Sequence, residues 1–173
     1  MDKVLAKEIY KVSHIAGEFV LRSGQVSNEY FDKYLFESNP EILSKIAKEM
    51  SRLIPENIDL IAGLEMGGIP ICTALSLHTG YHTLFVRKKA KQYGTAKLAE
   101  GEEFKGKKVC IIEDVVTTGG QIIESVKALR ELGCTINTVV CVILRDPNAI
   151  NILSKENLAL RPLFTMEQLN EYK

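Results

Sequence analysis

The sequence has no surplus of charge of either sign: Lys plus Arg and Asp plus Glu are 22 each in 173 residues. No overall field therefore draws the chain to nucleic acid or to an anionic membrane. No apolar run approaches the roughly eighteen residues of a membrane span. Met1, Asp2 and Lys3 lead straight into an amphipathic pattern, with no signal-peptide core. A cytoplasmic protein with no membrane and no nucleic-acid partner is expected. Cysteine is sparse: Cys72, Cys110, Cys134 and Cys141 are scattered, with no CxxC pair. All four are expected reduced, Cys110 and Cys141 as filler in buried strands, and none as a metal ligand. His14, His78 and His82 lack ligand spacing and read as structural or surface residues. Repeats and low-complexity segments are absent. Hydrophobic residues make up 46%, which is ordinary for a globular chain, and this length suits one domain rather than two.

What is present concentrates in one stretch, residues 109–121, which reads VCIIEDVVTTGGQ. Four apolar residues rich in Ile and Val form a strand buried on both faces. Two acids, Glu113 and Asp114, stand at its carboxyl end. Two threonines, two glycines and an amphipathic helix follow. Strand, small-residue loop and helix make a phosphate site, because loop N–H groups converge and the helix N-terminus is partly positive. Glycine lets the backbone approach the anion. The acids would repel a phosphate, so they face something else, and sugar hydroxyls or a bound Mg²⁺ are the natural choices. A phosphorylated sugar is the expected ligand. The stretch is not a P-loop, since no Gly-Lys-Ser/Thr follows. It is not a dinucleotide fingerprint, since the acids precede the glycines.

Elsewhere the pattern predicts a helix over 2–13, a hairpin or pair of short strands from 17–24 and 30–34, and a helix over 40–53 capped by Asn39. Strands are expected at 59–64, 83–86, 108–112, 136–144 and 158–164. Helices are expected at 68–77, 120–132 and 147–154, and a capping box at 165–168 opens a last one. This alternation predicts an α/β fold, a parallel twisted sheet flanked by helices. The first fifty or so residues do not alternate. They are expected to form a small N-terminal hood lobe, about 1–55, on a core of about 56–173. Residues 87–106 form a long basic segment with weak apolar periodicity. Beside a phosphosugar site, such a loop can close over a diphosphate and neutralise it.

The stretch 109–121 resembles the phosphoribosyl-pyrophosphate (PRPP) signature of type I phosphoribosyltransferases. Four other segments resemble the orotate phosphoribosyltransferases among them. These are Phe19 to Ser27 with Tyr30-Phe31-Asp32, the loop at 63–70, the basic run at 87–94 with Glu100-Gly101, and Arg145 after the strand 136–144. They fall in the family's order, and the compact archaeal-type members are the most similar in form. The resemblance implies the type I fold, an Mg²⁺-dependent transfer from PRPP to orotate, and a homodimer whose basic loop works in trans. It implies that the N–H groups of 116–121 hold the 5′-phosphate, with PRPP contacts from Val115, Val116, Thr117, Thr118, Gly119, Gly120 and Gln121. Glu113 and Asp114 take the ribose hydroxyls and favour a cationic sugar. Lys91, with Arg87 or Lys88, meets pyrophosphate, and Arg22 lies near the diphosphate. Lys91, Asp114 and Glu113 are thus the expected catalytic residues. Phe31, Thr117 and Arg145 are the expected orotate contacts, the arginine by a bidentate grip on the carboxylate. Mg²⁺ is carried mainly by PRPP, with no dedicated protein ligands.

The chain departs from the family pattern at three places. Gly67 stands where many bacterial members have lysine, Tyr93 where many have histidine, and Glu113-Asp114 where Asp-Asp is common. Backbone N–H groups near Gly67 and Gly68 are expected to replace the missing lysine contact. Glu65 has no assigned role. Two rivals are a phosphoribosyltransferase for another base and a PRPP-sensing regulator without catalysis. Arg145 argues against the first, because a neutral base needs no carboxylate clamp. The retained basic loop, and the lack of an added domain or net positive charge, argue against the second.

Overall fold

The computed structural model describes residues 2–20, 24–89 and 97–173. Helix α1, Lys3–Ser13, starts where the Asp2 side chain accepts hydrogen bonds from the N–H groups of Val4 and Leu5. Strands β1 (His14–Val20) and β2 (Val26–Phe31) pair antiparallel. The expected second strand at 30–34 ends early. Asp32 accepts a hydrogen bond from the Tyr34 N–H and caps a short helix, α2 (Lys33–Glu37), that the sequence pattern did not show. Helix α3, Pro40–Met50, has the expected Asn39 cap and Pro40 at its first position.

The remaining elements are β3 (Leu60–Leu64), α4 (Gly68–Thr79), β4 (His82–Val86), β5 (Ala99–Gly101), β6 (Lys108–Val116), α5 (Gly120–Glu131), β7 (Thr135–Leu144), α6 (Asn148–Ser154), β8 (Ala159–Thr165) and α7 (Met166–Asn170). The large sheet runs β5-β4-β3-β6-β7-β8. It is the expected parallel sheet, with one short strand added at its edge: β5 pairs antiparallel with β4. β6 runs four residues beyond its predicted end at Ile112. Its partner β7 continues beside it, pairing Val115 with Ile143 and Val116 with Leu144.

Strand alternation divides the core between the two faces of the sheet. Ile61, Cys110 and Ile112 point to the face covered by α1, α3 and α4, where Leu5, Ile9, Ile42, Ile46, Ile71 and Leu75 are buried. Leu60, Ala62, Val109 and Ile111 point to the face covered by α5 and α6. The expected hood at 1–55 is therefore not wholly separate. The apolar stripes of α1 and α3 need a surface to bury them, and they find it on the sheet itself. The part of the N-terminal region outside this face is the β1–β2 pair. From the centre of the sheet the chain winds outward in two directions, through β3 and β4 and through β6, β7 and β8. The switch point lies between β3 and β6, and ligands of open α/β sheets bind at such points, beyond the strands' carboxyl ends.

Candidate active site

Both central strands end in glycine-containing turns that lead into helices. After β6, Thr117 and Thr118 are exposed and Gly119 turns the chain at φ 77°. A side chain there would be strained in the left-handed region, and its Cβ would press on Leu153 at 3.1 Å. α5 then starts without a side-chain cap. The N–H groups of its first turn are left for an anion.

The two acids sit deeper than the sequence suggested, within β6 rather than beyond it. Asp114 is 1% exposed. Its Oδ2 is ion-paired with Lys33 Nζ from α2, and its Oδ1 accepts a hydrogen bond from the Val115 N–H. Glu113 has a buried Oε2 with no hydrogen-bond partner among the described residues. Burial first, then the charge of Asp114, raises its pKa to about 8. A third carboxyl, Glu37, comes from α2. It is buried, and burial followed by the charge of Asp114 raises it to about 9. For Lys33, burial alone would lower the pKa. The hydrogen bond to Asp114 and the charge of Asp114 together outweigh that, and the net shift is upward.

The loop after β3 closes over these acids. A Cβ on Gly67 would overlap Asp114 Oδ2 and lie 3.0 Å from Glu37 Oε1. A Cβ on Gly68 would lie 2.8 Å from Glu113 Oε2. The absence of a lysine at 67 thus has a local cause: the space belongs to the Asp114 carboxylate. Glu65, without a role in the sequence reading, has one here. Its Oε2 accepts a hydrogen bond from the Lys88 N–H at 3.0 Å, and its own N–H donates to the Val86 carbonyl. It ties the turn after β3 to the start of the basic segment.

Beside the acids lies a cavity of about 430 Å³. Phe31 from β2, Lys33 and Tyr34 from α2, Val115 and Thr117 from the β6 end, and Arg145 from the end of β7 line it. The structure thus brings together all three expected orotate contacts, which are scattered between positions 31 and 145 of the sequence. Phe31 serves two ends: it faces the cavity and also packs against the core. The Arg145 guanidinium makes no ion pair among the described residues, while its N–H is held by the Val116 carbonyl at 2.8 Å. Arg87 is placed differently from the expectation. Its guanidinium lies 3.8 Å from the Glu100 carboxylate, and its N–H bonds to the Leu98 carbonyl, so it pins the base of the basic segment. Lys88 is exposed. Arg22, Lys91 and Tyr93 lie outside the described residues. Lys33 and Glu37 were missed by sequence reasoning. Their i,i+4 spacing after a capping Asp32 marks a shared helix face but carries no sign of the partner on β6. Among the described residues, no group of three or more His, Cys, Asp or Glu is arranged to hold a metal ion.

A switch-point site with an acid pair, a glycine loop and a helix N-terminus defines a phosphoribosyltransferase, and the family model for the phosphoribosyl transferase domain matches residues 36–155. An orotate phosphoribosyltransferase of Nocardioides sp. is 48% identical over 170 residues, covering 98% of this chain and 95% of the relative. One from Methanocella arvoryzae is 41% identical over 174 residues, covering 100% and 99%. The crystal structure of Mycobacterium tuberculosis H37Rv orotate phosphoribosyltransferase in complex with PRPP is similar, with a TM-score of 0.83 and 25% identity, covering 97% of this chain and 98% of that one. The chain belongs to the orotate phosphoribosyltransferase family.

Proposed function

We propose that this chain transfers the phosphoribosyl group of PRPP to orotate, giving orotidine 5′-monophosphate and pyrophosphate on the route to UMP. The observation that carries the reading is the single cavity in which Phe31, Thr117 and Arg145 meet beside Glu113 and Asp114. As pyrophosphate leaves C1′, positive charge develops on the sugar and negative charge on the leaving group. Asp114, with Glu113, binds the ribose hydroxyls and favours the cationic sugar. The first turn of α5, with residues 115–121, holds the 5′-phosphate. Phe31 lies against the pyrimidine face, and Arg145 takes the orotate carboxylate in a fork-to-fork pair. Arg22, Lys88 and Lys91 meet the diphosphate. Arg87 supports them by holding the base of their segment.

Mg²⁺ fits this arrangement as a substrate-borne ion. When bound, it would neutralise pyrophosphate oxygens as charge grows there. Asp114 is already held by Lys33, and Gly67 and Gly68 close over the buried carboxyls, so most of its ligands come from PRPP and water. The reading further takes the protein as a cytoplasmic homodimer with Lys91 acting on the neighbouring subunit's site.

A base panel tests the central claim. Orotate, uracil, hypoxanthine, xanthine and adenine are each given PRPP and Mg²⁺, and pyrophosphate release is followed. Release with orotate alone is expected, and it should stop when Mg²⁺ is chelated. Turnover of a neutral base in preference to orotate would overturn the reading.

A further inference from the structure

The α2 helix lends the acid pair two side chains that the reaction outlined above does not use. Lys33 and Glu37 lie one helical turn apart, so they share a face, and both reach β6. Lys33 Nζ is ion-paired with Asp114 Oδ2. Glu37 is 6% exposed, and neither carboxyl oxygen has a hydrogen-bond partner among the described residues. Glu37 and Asp114 flank one spot, the space that a Cβ on Gly67 would enter. Glu113 adds a third buried, unpartnered carboxyl oxygen. Two carboxyls therefore share one spot, a third lies close enough to feel their charge, and one ammonium is in contact; like charges so placed cannot all ionise.

We propose that Lys33 and Glu37 are positioning residues for Asp114: the ammonium fixes the cluster's negative charge on Asp114, and Glu37 stands beside it as an uncharged acid able to donate a hydrogen bond. The surroundings agree with this division. Burial and Asp114 raise Glu37 to about 9, and burial and Asp114 raise Glu113 to about 8. Among the described residues, the charged and titratable groups facing the cluster are Lys33, Tyr34 and Glu37 on α2, Glu113 and Asp114 on β6, the buried Cys141 thiol on β7, and Lys88 beyond β4. The turn before α4 adds only glycine backbone at this point. Charge at one defined acid, rather than shared among three, is what a cationic sugar needs nearby. That consequence rests on the transfer chemistry proposed above; the charge assignment does not.

Two measurements test it. In ligand-free wild-type protein, the side-chain carboxyl carbon of Glu37 should titrate above pH 7 by NMR; titration near the ordinary value of about 4.3 would overturn the proposal. Turnover of orotate and PRPP is then followed from about pH 5.5 to 9.5 for the wild type, Lys33→Met, Lys33→Arg and Lys33→Met with Glu37→Gln. In Lys33→Met the acid limb of kcat/KM for PRPP should move up by roughly one to three pH units, with activity returning at high pH. Lys33→Arg should restore the wild-type limb, and adding Glu37→Gln to Lys33→Met should move the limb part of the way back. A folded Lys33→Met enzyme with a uniform loss at every pH, or with an unmoved limb, would show Lys33 to be a structural prop and overturn the proposal. If the wild type itself does not use orotate, the functional reading fails and the NMR titration alone judges the charge assignment. It does so equally if Lys33→Met does not fold.

Discussion

Arg145 reaches the cavity from the end of β7, where a flat guanidinium can meet a flat carboxylate along two parallel hydrogen bonds. Its backbone is fixed by the Val116 carbonyl, so the side chain starts from a rigid point. Arg145→Ala should raise the Michaelis constant for orotate by about 30-fold, the equivalent of ~2 kcal/mol for a lost charge-assisted pair. The constant for PRPP should hardly move, and steady-state kinetics with each substrate varied in turn would show it. An unchanged orotate constant would remove Arg145 from the site. This residue, like Phe31 and Thr117, was named through the resemblance to the orotate phosphoribosyltransferases, and all three line one cavity. Lys33 was not legible. Its partner Asp114 is 81 positions away, and an ion pair across that distance leaves no local pattern.

At the scale of elements, the turn into α4 and the strand β6 fit each other closely. Gly67 is packed on Asp114, and Gly68 on Glu113. Gly67→Ala should therefore lower kcat/KM for PRPP by about a hundredfold, since displacing a reacting group by an ångström costs that much. The same holds for Gly67→Lys, although lysine resembles what many family members carry there. Kinetics, with circular dichroism to confirm folding, would check both. Near-normal activity in either would show that Asp114 has room to move. The sequence hid these fits for physical reasons. Acids look like the end of a buried strand, yet β6 continues because β7 supplies partners up to Leu144. β5 has only three residues inside a charged segment, too few for a periodicity. Tyr30, Phe31 and Tyr34 look like a strand, but the Asp32 cap turns the chain into α2.

The whole molecule followed from alternation more readily than from any motif. Strands alternating with helices predicted a covered sheet, and the strand order then puts the switch point between β3 and β6. The proposed homodimer had no such signal. The basic segment is pinned where the Arg87 N–H meets the Leu98 carbonyl, so the chain between them can extend about 15 Å outward and back. That is long enough to reach a neighbouring subunit only if the two sites lie close to the interface. Mixing Lys91→Ala with Asp114→Asn, each inactive alone, tests this. With random exchange, half of the dimers are mixed and each has one intact site, so about a quarter of wild-type activity should return. No recovery after verified exchange would place the loop on its own subunit's site.

The buried carboxyls also bear on how the protein survives outside the assay. Burial and the charge of Asp114 hold the protons of Glu37 and Glu113 to about 9 and about 8 when folded, well above the ordinary carboxylate value of about 4.3. Between those limits the folded chain keeps protons that the unfolded chain has released, so unfolding gives protons up and is favoured as pH rises. Their contribution is full below the unfolded value and fades toward the folded ones. The melting temperature should therefore be lower at about pH 8 than at about pH 5.5, and Glu37→Gln should flatten the decline. A melting profile that rises over this range would contradict the buried protons. A preparation stored in mildly acidic buffer should accordingly outlast one stored at mildly alkaline pH.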